Sequence, residues 1–435
     1  MKRNFEITLL NIQVFLTCLL PISLIFSIFV ADLIVVILFI SFFIVCFKDK
    51  NFSYFNNIYF KFFFSYWLYI SVLSFFSENF LEAFSSSFTY IRFIVLPLVI
   101  LYVINKHEGF TKFFLYSLLT TFALLIFDSF FEYFLGNNIL GYGGLEEGRL
   151  VSFFKDEYVL GSYISKLFFL IASLWFIFFD HKNNKNNLMF KIFYFLCFIT
   201  VFISGDRMPF LLFLIGSFIF LILSKFNIKM KLSFMLFSII FILSSLYFNQ
   251  NLYDRVIKKT LREMGSTKGL RENSSVLYKI DLGNNKKISF LTQHQNYLIV
   301  NHKIFKENPL FGKGNKGFKF NCHKYKLDGS SCSSHPHNIY LQLLSENGLL
   351  GFLFFFIFFL WLTYVLLINL INILRKNKEK ILSNSKLCIL ICVYLNLWPL
   401  AQTGNLFNNW TAIIYFLPVG FLLNEFDLKK KFIIN

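Results

Sequence analysis

The chain has 435 residues, 56% of them hydrophobic and 15% charged, with a formal net charge of +18. An apolar share this high excludes an ordinary soluble domain and points to several membrane-spanning helices. The positive charge would suit a nucleic-acid binder. Most Lys and Arg, however, fall in short gaps between apolar runs or in one long loop, where membrane topology accounts for them.

Apolar runs of spanning length fall at about 9–29, 31–47, 58–77, 84–104, 112–135, 158–179, 190–203, 208–224, 232–248, 349–374, 387–403 and 410–424. They predict an all-α polytopic membrane protein of about twelve spans. The basic start, Met1-Lys2-Arg3, is read as the flank of the first span and not as a signal peptide. No small-x-small cleavage site follows it, and a second apolar run begins almost at once. The gaps alternate in charge. Lys2/Arg3, Lys48/Lys50, Lys106/Lys112, Lys182/Lys185/Lys191, Lys225/Lys229/Lys231, Arg375/Lys376/Lys378/Lys380 and Lys429/Lys430/Lys431 fall on one side. This positive-inside pattern predicts that both termini are cytoplasmic. It places 136–157, the turn 204–207 and the long segment 249–344 outside.

Several charged residues along the way invite a role. Arg92 falls within a predicted span, where a charge is expensive and commonly functional; Asp128 or Glu132 on the next span is the expected ion-pair partner. A structural tie between helices and a ligand contact both remain open for it. Arg149, in the outer loop Arg149-Leu150-Val151-Ser152, is either an ordinary loop residue or a member of the site. Arg207 opens a helix in Ser204-Gly205-Asp206-Arg207-Met208-Pro209. It reads as a cap or an ion pair with Asp206, or as a phosphate clamp suited to its fork geometry. Pro209 near the helix start favours the second, since the first N–H groups there can help to hold an anion.

The segment 249–344 is the only polar stretch large enough for a subdomain. It carries 16 Lys and Arg against 6 Asp and Glu, a net +10, and five of the seven His. Arg255, Lys258, Lys259 and Arg262 share one face if helical, as a solvated surface or as a phosphate contact. Residues 295–306 read as a short helix and 308–314 as a turn. Cys322 and Cys332 can pair if the loop lies outside the cytoplasm. The other five Cys lie in apolar runs, as small hydrophobes.

The loop ends in His335-Pro336-His337-Asn338-Ile339-Tyr340, directly before a membrane-length run. Pro336 is expected in the first turn of a helix that includes His337 and Asn338. On such a helix, positions 335 and 337 do not share a face, so no metal site is expected. His337 is the candidate general base, since an imidazole titrates near neutrality.

These segments resemble the O-antigen ligase and O-antigen polymerase superfamily of bacterial inner membranes. The resemblance rests on the span count with one large loop before the last three spans. It rests also on Ser204-x-x-Arg207, on Asn308-Pro309-Leu310-Phe311-Gly312-x-Gly314, and on His337-Asn338-x-Tyr340-Leu341-Gln342-x-Leu344-x-x-x-Gly348-x-x-Gly351. The motifs cover 200–351. The chain departs from the family at His294, which stands where an arginine is commonly found; Arg149, Arg255 or a loop lysine is left to replace it.

The resemblance implies a GT-C-like glycosyltransferase with its active site on the periplasmic face. It divides the chain into an N-terminal bundle (1–189), a ligase-like core (190–360) and C-terminal helices with a cytoplasmic tail (361–435). The implied donor is an undecaprenyl-pyrophosphate-linked glycan. The acceptor is a lipid A–core sugar hydroxyl in a ligase, or a second lipid-linked glycan in a polymerase. No cofactor, metal or nucleic acid is implied; membrane lipids are partners. His337 and Arg207 are the implied catalytic pair, with Arg92, Arg149, Arg255, His294, His335 and Asn338 as substrate contacts. The signature helix lies closer to the ligase branch. A transporter or flippase would explain Arg92 and the helix count, but not a basic, histidine-rich loop.

Overall fold

The computed structural model describes residues 2–143, 148–155, 157–179, 183–226, 228–248, 250–258, 278–281, 287–290, 293–326 and 332–426. Its helices, in chain order, are α1 (Lys2–Phe26), α2 (Ile28–Lys48), α3 (Ile58–Leu73), α4 (Phe80–Phe88), α5 (Ile91–Lys106), α6 (Phe110–Leu135), α7 (Leu160–Phe178), α8 (Asn184–Ile203), α9 (Arg207–Leu223) and α10 (Ile228–Phe248). After the short α11 (Gln250–Tyr253) come α12 (Gln293–Glu307), α13 (Gly317–Tyr325), α14 (Ile339–Leu374), α15 (Asn384–Asn396) and α16 (Asn409–Phe426). All twelve predicted apolar runs fall on helices, although the run at 387–403 continues past the end of α15 at Asn396. Among the described residues, eight helices are long and apolar enough to cross a membrane, while α9 and α15 are shorter apolar helices. The chain is a multi-pass membrane protein.

Polar side chains mark the helix starts. Ser27 accepts from Val30 N (3.3 Å), Asn57 from Phe60 N (2.8 Å) and Ser383 from Lys386 N (3.2 Å), each satisfying an N–H that the helix leaves unpaired. The run at 84–104 is divided. Thr89 and Tyr90 separate the amphipathic α4 from α5, and Trp67 Nε1 donates to the Phe88 carbonyl at the junction. At the centre, α7 packs along α15 and α5 along α16, with α15 buried from end to end.

Contacts between connections show which helix ends share a face. Leu150 N donates to Ser204 O (3.2 Å), Phe153 packs on Phe26, and Trp410 Nε1 donates to Leu24 O (3.2 Å). Thr403 N donates to His337 O (2.9 Å). The loop before α14, the 397–408 connection and the 136–159 connection therefore meet at one end of the bundle, here called the loop face.

The all-α fold carries one small addition, and one expectation needs correction. Tyr278–Asp281 pairs antiparallel with Lys287–Phe290, Tyr278 opposite Phe290. Residues 254–258 form a π-helix, so the three-and-four spacing that aligned Arg255 with Lys258 does not apply there. Lys258 ion-pairs with Asp254 (2.6 Å); Lys259 and Arg262 lie outside the described residues.

Candidate active site

The two motif segments, 308–314 and 337–351, form one joint. Helix α14 is broken at Gly348, whose backbone (φ 65°, ψ −169°) is open to glycine almost alone. A break in a helix orphans N–H groups after it and carbonyls before it. The 308–314 turn satisfies both sets. Leu349 N donates to Pro309 O (2.8 Å) and Leu350 N to Leu310 O (3.3 Å); Lys313 N donates to Ser345 O (3.0 Å) and Gly314 N to Glu346 O (2.8 Å). Gly312 and Gly348 allow this approach: a Cβ on Gly312 would lie 2.6 Å from Gly348 N, and one on Gly348 2.5 Å from Phe311 N.

Buried side chains hold the joint to its neighbours. Asn347 Nδ2 donates to Asn315 Oδ1 (2.8 Å), and Asn315 Nδ2 to Ser87 Oγ (2.7 Å) on α4. Tyr69 Oη donates to Asn347 O (2.6 Å). Gln342 Nε2 bridges Glu346 Oε2 (2.9 Å) and Asn405 Oδ1 (2.8 Å), while its oxygen accepts from Leu406 N (3.0 Å).

His337 stands just ahead of this joint. The helix begins at Ile339, not at Pro336 as expected, because Asn338 caps it: Asn338 Oδ1 accepts from Tyr340 N and Leu341 N, both at 3.0 Å. Asn338 Nδ2 donates to Pro399 O (2.7 Å) and Ala401 O (3.0 Å). Both ends of the amide are thus used in fixing the backbone beneath His337. His337 itself has φ 56°, a left-handed conformation that aims its side chain off the helix axis. Its ring lies over Tyr297 (centroids 5.5 Å apart, 26° between planes) and beside His335 (4.2 Å). Ser333 Oγ is 3.2 Å from Nε2. Positions 335 and 337 lie ahead of the helix, and their rings are neighbours, so the helix-face reasoning does not separate them. Burial pushes His335 below the usual imidazole value, with the Thr403 backbone acting the other way. No group of three or more potential metal ligands occurs among the described residues.

Tyr297 comes from α12, whose inner side forms a small core with Val300, Ile304, Phe318 and Cys322. Cys322 and Cys332 are disulfide-bonded. Glu307 closes this subdomain by binding Lys313 (2.8 Å), the Tyr325 hydroxyl and Lys324 (3.3 Å), and these partners, Lys313 foremost, hold its carboxyl down at about 2. Lys316 and Lys319 tie it to Glu82 on α4. His294 lies in the first turn of α12.

A second cluster opens α9. Arg207 is the first helical residue and is half-buried. Asp206, at the cap position, makes no side-chain bond to the helix; it pairs instead with Arg149, whose Nε is 3.0 Å away. The Arg149 guanidinium also lies over the Tyr158 ring, 4.1 Å from its centroid. Arg149 is thus bound to the Asp206 carboxylate, and Arg207 follows Asp206 in sequence as the first residue of α9. Sequence reasoning missed what holds Arg149. Glu132 accepts from Val151 N (3.1 Å) and Ser152 N (2.6 Å), and Asp128 from Ile139 N (3.0 Å) and Ser152 Oγ (2.6 Å), both carboxylates fully buried.

These two acids were the expected partners of Arg92, and that expectation is overturned. Arg92 is held by Asp32 on α2, Nε to Oδ1 at 2.9 Å and Nη2 to Oδ2 at 3.2 Å, and by Asn409 Oδ1 (3.2 Å). It sits in the first turn of α5 and not at mid-span, so a partner at the start of α2 is near and the acids late in α6 are used elsewhere.

The loop face thus carries a histidine pair on a broken-helix joint and an arginine pair at a helix mouth. Residues 192–356 match the family model described as O-Antigen ligase. That match is consistent with the O-antigen ligase/polymerase superfamily, and it suggests a glycosyltransferase-like enzyme with lipid-linked glycans as substrates. No curated protein matches the chain.

Proposed function

We propose that the protein is an O-antigen ligase, moving a glycan from undecaprenyl pyrophosphate to a lipid A–core sugar hydroxyl at the periplasmic face of the inner membrane. The observation that carries this is the joint at Gly348: the two motifs of the resemblance interlock there, and the helix they fix starts just after His337. In this reading the acceptor hydroxyl attacks the anomeric carbon as its proton passes to His337. The bond from that carbon to the pyrophosphate oxygen breaks, the configuration inverts, and undecaprenyl pyrophosphate leaves. Pyrophosphate is already a good leaving group, so the remaining task is to hold its charge. Arg207 and Arg149 take it, with Arg149 as the second cationic contact where His294 departs from the family pattern. The Cys322–Cys332 disulfide supports an oxidising location for the loop, and so about twelve spans with cytoplasmic termini. Arg92 serves as an inter-helix tie, since Asp32 already satisfies it.

The test uses purified protein in nanodiscs with a labelled lipid-linked donor and two acceptors, lipid A–core and a second lipid-linked unit. Transfer to the core is expected, and His337→Ala is expected to lose about 10²–10⁴-fold in rate. Transfer only to the second lipid-linked unit would make the protein a polymerase. His337→Ala restoring full-length surface polysaccharide in a deletion strain would overturn the base assignment.

A further inference from the structure

We infer that the Cys322–Cys332 disulfide, acting through Ser333 and Tyr297, positions the His337 ring, so that turnover depends on that bond being closed. This rests on His337 as the base.

Cys322 lies fully buried in the small core of the loop subdomain, against Tyr297, Val300, Ile304 and Phe318, with Cys332 packed on the same core. The bond ties residue 332 to the floor of that core across ten positions of sequence. The next residue is Ser333, whose Oγ meets His337 Nε2 at 3.2 Å. Tyr297, from the same core, stacks on the ring. Two of the contacts that orient the imidazole thus come from one cluster, and the disulfide closes that cluster onto 332–337. Five buried residues are too few to hold such an arrangement by apolar burial alone, and small cores of this kind depend on covalent staples.

Ser333 does more than restrain the ring. A neutral imidazole has one donor and one acceptor nitrogen, and the partner of one fixes the role of the other. Where Ser333 Oγ accepts from Nε2–H, Nδ1 is the basic nitrogen; where it donates, Nδ1 carries the proton, so this contact selects the tautomer. The backbone at His337 is held separately, by Thr403 N on its carbonyl and by the Asn338 cap. Opening the disulfide therefore loosens the ring and leaves the helix start in place.

The remaining cysteines, Cys18, Cys46, Cys197, Cys388 and Cys392, are free thiols, so a reductant has one target in the folded chain. Full-length protein in nanodiscs is assayed with the labelled undecaprenyl-pyrophosphate-linked glycan and both acceptors, before and after tris(2-carboxyethyl)phosphine, and again after reoxidation. Cys322→Ser/Cys332→Ser, Ser333→Ala and His337→Ala are run beside it. The expected result is a fall in kcat of about tenfold on reduction and in the double variant, recovered on reoxidation, with donor KM and the thermal midpoint of the bundle unchanged. Ser333→Ala is expected to lower kcat to a similar extent and to move the acid limb of the pH–rate profile, which a merely structural contact would not do. Wild-type turnover after reduction, with His337→Ala inactive, overturns this inference alone. A reduction-sensitive kcat with Ser333→Ala at wild-type rate and profile also overturns it. Wild-type turnover by His337→Ala removes the functional reading beneath it. Reducing protein that is already folded keeps the test valid if the double variant fails to accumulate.

Discussion

Gly348→Ala probes the joint directly. The glycine backbone at φ 65° and ψ −169° costs another residue about 1–3 kcal/mol. The added Cβ would also stand 2.5 Å from Phe311 N and nearer still to the Leu310 carbonyl. Those are backbone atoms, which cannot rotate away, so the 308–314 turn must leave the break in α14. Its departure removes the hydrogen bonds from Leu349, Leu350, Lys313 and Gly314. At about 1 kcal/mol net for each, these bring the total to about 5–7 kcal/mol. Gly136 supplies the control: its φ is 86°, but nothing lies within 4 Å of the added Cβ. Gly136→Ala should cost only the backbone strain, about 1–2 kcal/mol. Detergent-solubilised variants compared by thermal unfolding and by glycan transfer should show Gly136→Ala close to wild type. Gly348→Ala should melt far lower and be inactive. If Gly348→Ala melts with Gly136→Ala and still transfers glycan, the joint does not hold the site.

Glu132→Gln places an NH₂ donor against one of two backbone N–H groups, at Val151 or Ser152, in the strand of loop that carries Arg149. Donor KM should rise about tenfold, and the rise should vanish when Arg149 is already Ala; a double-mutant cycle with additive effects would refute that coupling. The His335 prediction concerns pH. Burial lowers its folded pKa below the unfolded value, so the unfolded chain takes up the proton first. The stability it contributes is present above about pH 6.5 and is lost as pH falls through the folded pKa. Thermal midpoints measured from pH 7 to pH 5 should decline, and His335→Gln should flatten that decline.

How much was legible in the sequence divides along the range of the interactions. Helix positions are written in local hydropathy, and every predicted run lies on a helix. The prediction for 295–306 also agrees with α12 (Gln293–Glu307). Partner choice is not local. Asp128 and Glu132 sit in the span after Arg92 and looked reachable, but each lies late in α6, where the returning 137–152 chain offers N–H groups. Asp32, sixty positions before Arg92, is its partner because α2 and α5 start at the same face. Pro336 misled for another reason. A proline suits a first helical turn, but Asn338 is the stronger cap and sets the start at Ile339. Nothing in the sequence marked Tyr297 or Ser333, since a ring contact and a hydroxyl contact carry no spacing.

Much of the signature stretch 337–351 is engaged in structure. Ser345, Glu346 and Asn347 are all fully buried at the head of a helix that continues as a membrane-length apolar run. Burying such groups is costly unless they are bonded, and more so where lipid replaces water. Their backbones and side chains are committed accordingly: Ser345 and Glu346 carbonyls to the motif turn, Glu346 to Gln342, and Asn347 to Asn315 and Tyr69. Asn338 is spent on the cap and on the 397–408 connection. Gly348 provides the break, and Gly351 makes room beside it, since a Cβ there would lie 2.2 Å from Asn347 Cβ. Most polar groups of the stretch from Asn338 to Asn347 are thus bonded within the joint, while Glu346 Oε1 stays buried without a hydrogen-bond partner among the described residues. The His337 ring lies ahead of the helix, between Tyr297, His335 and Ser333, and the proposed role as base belongs to that position.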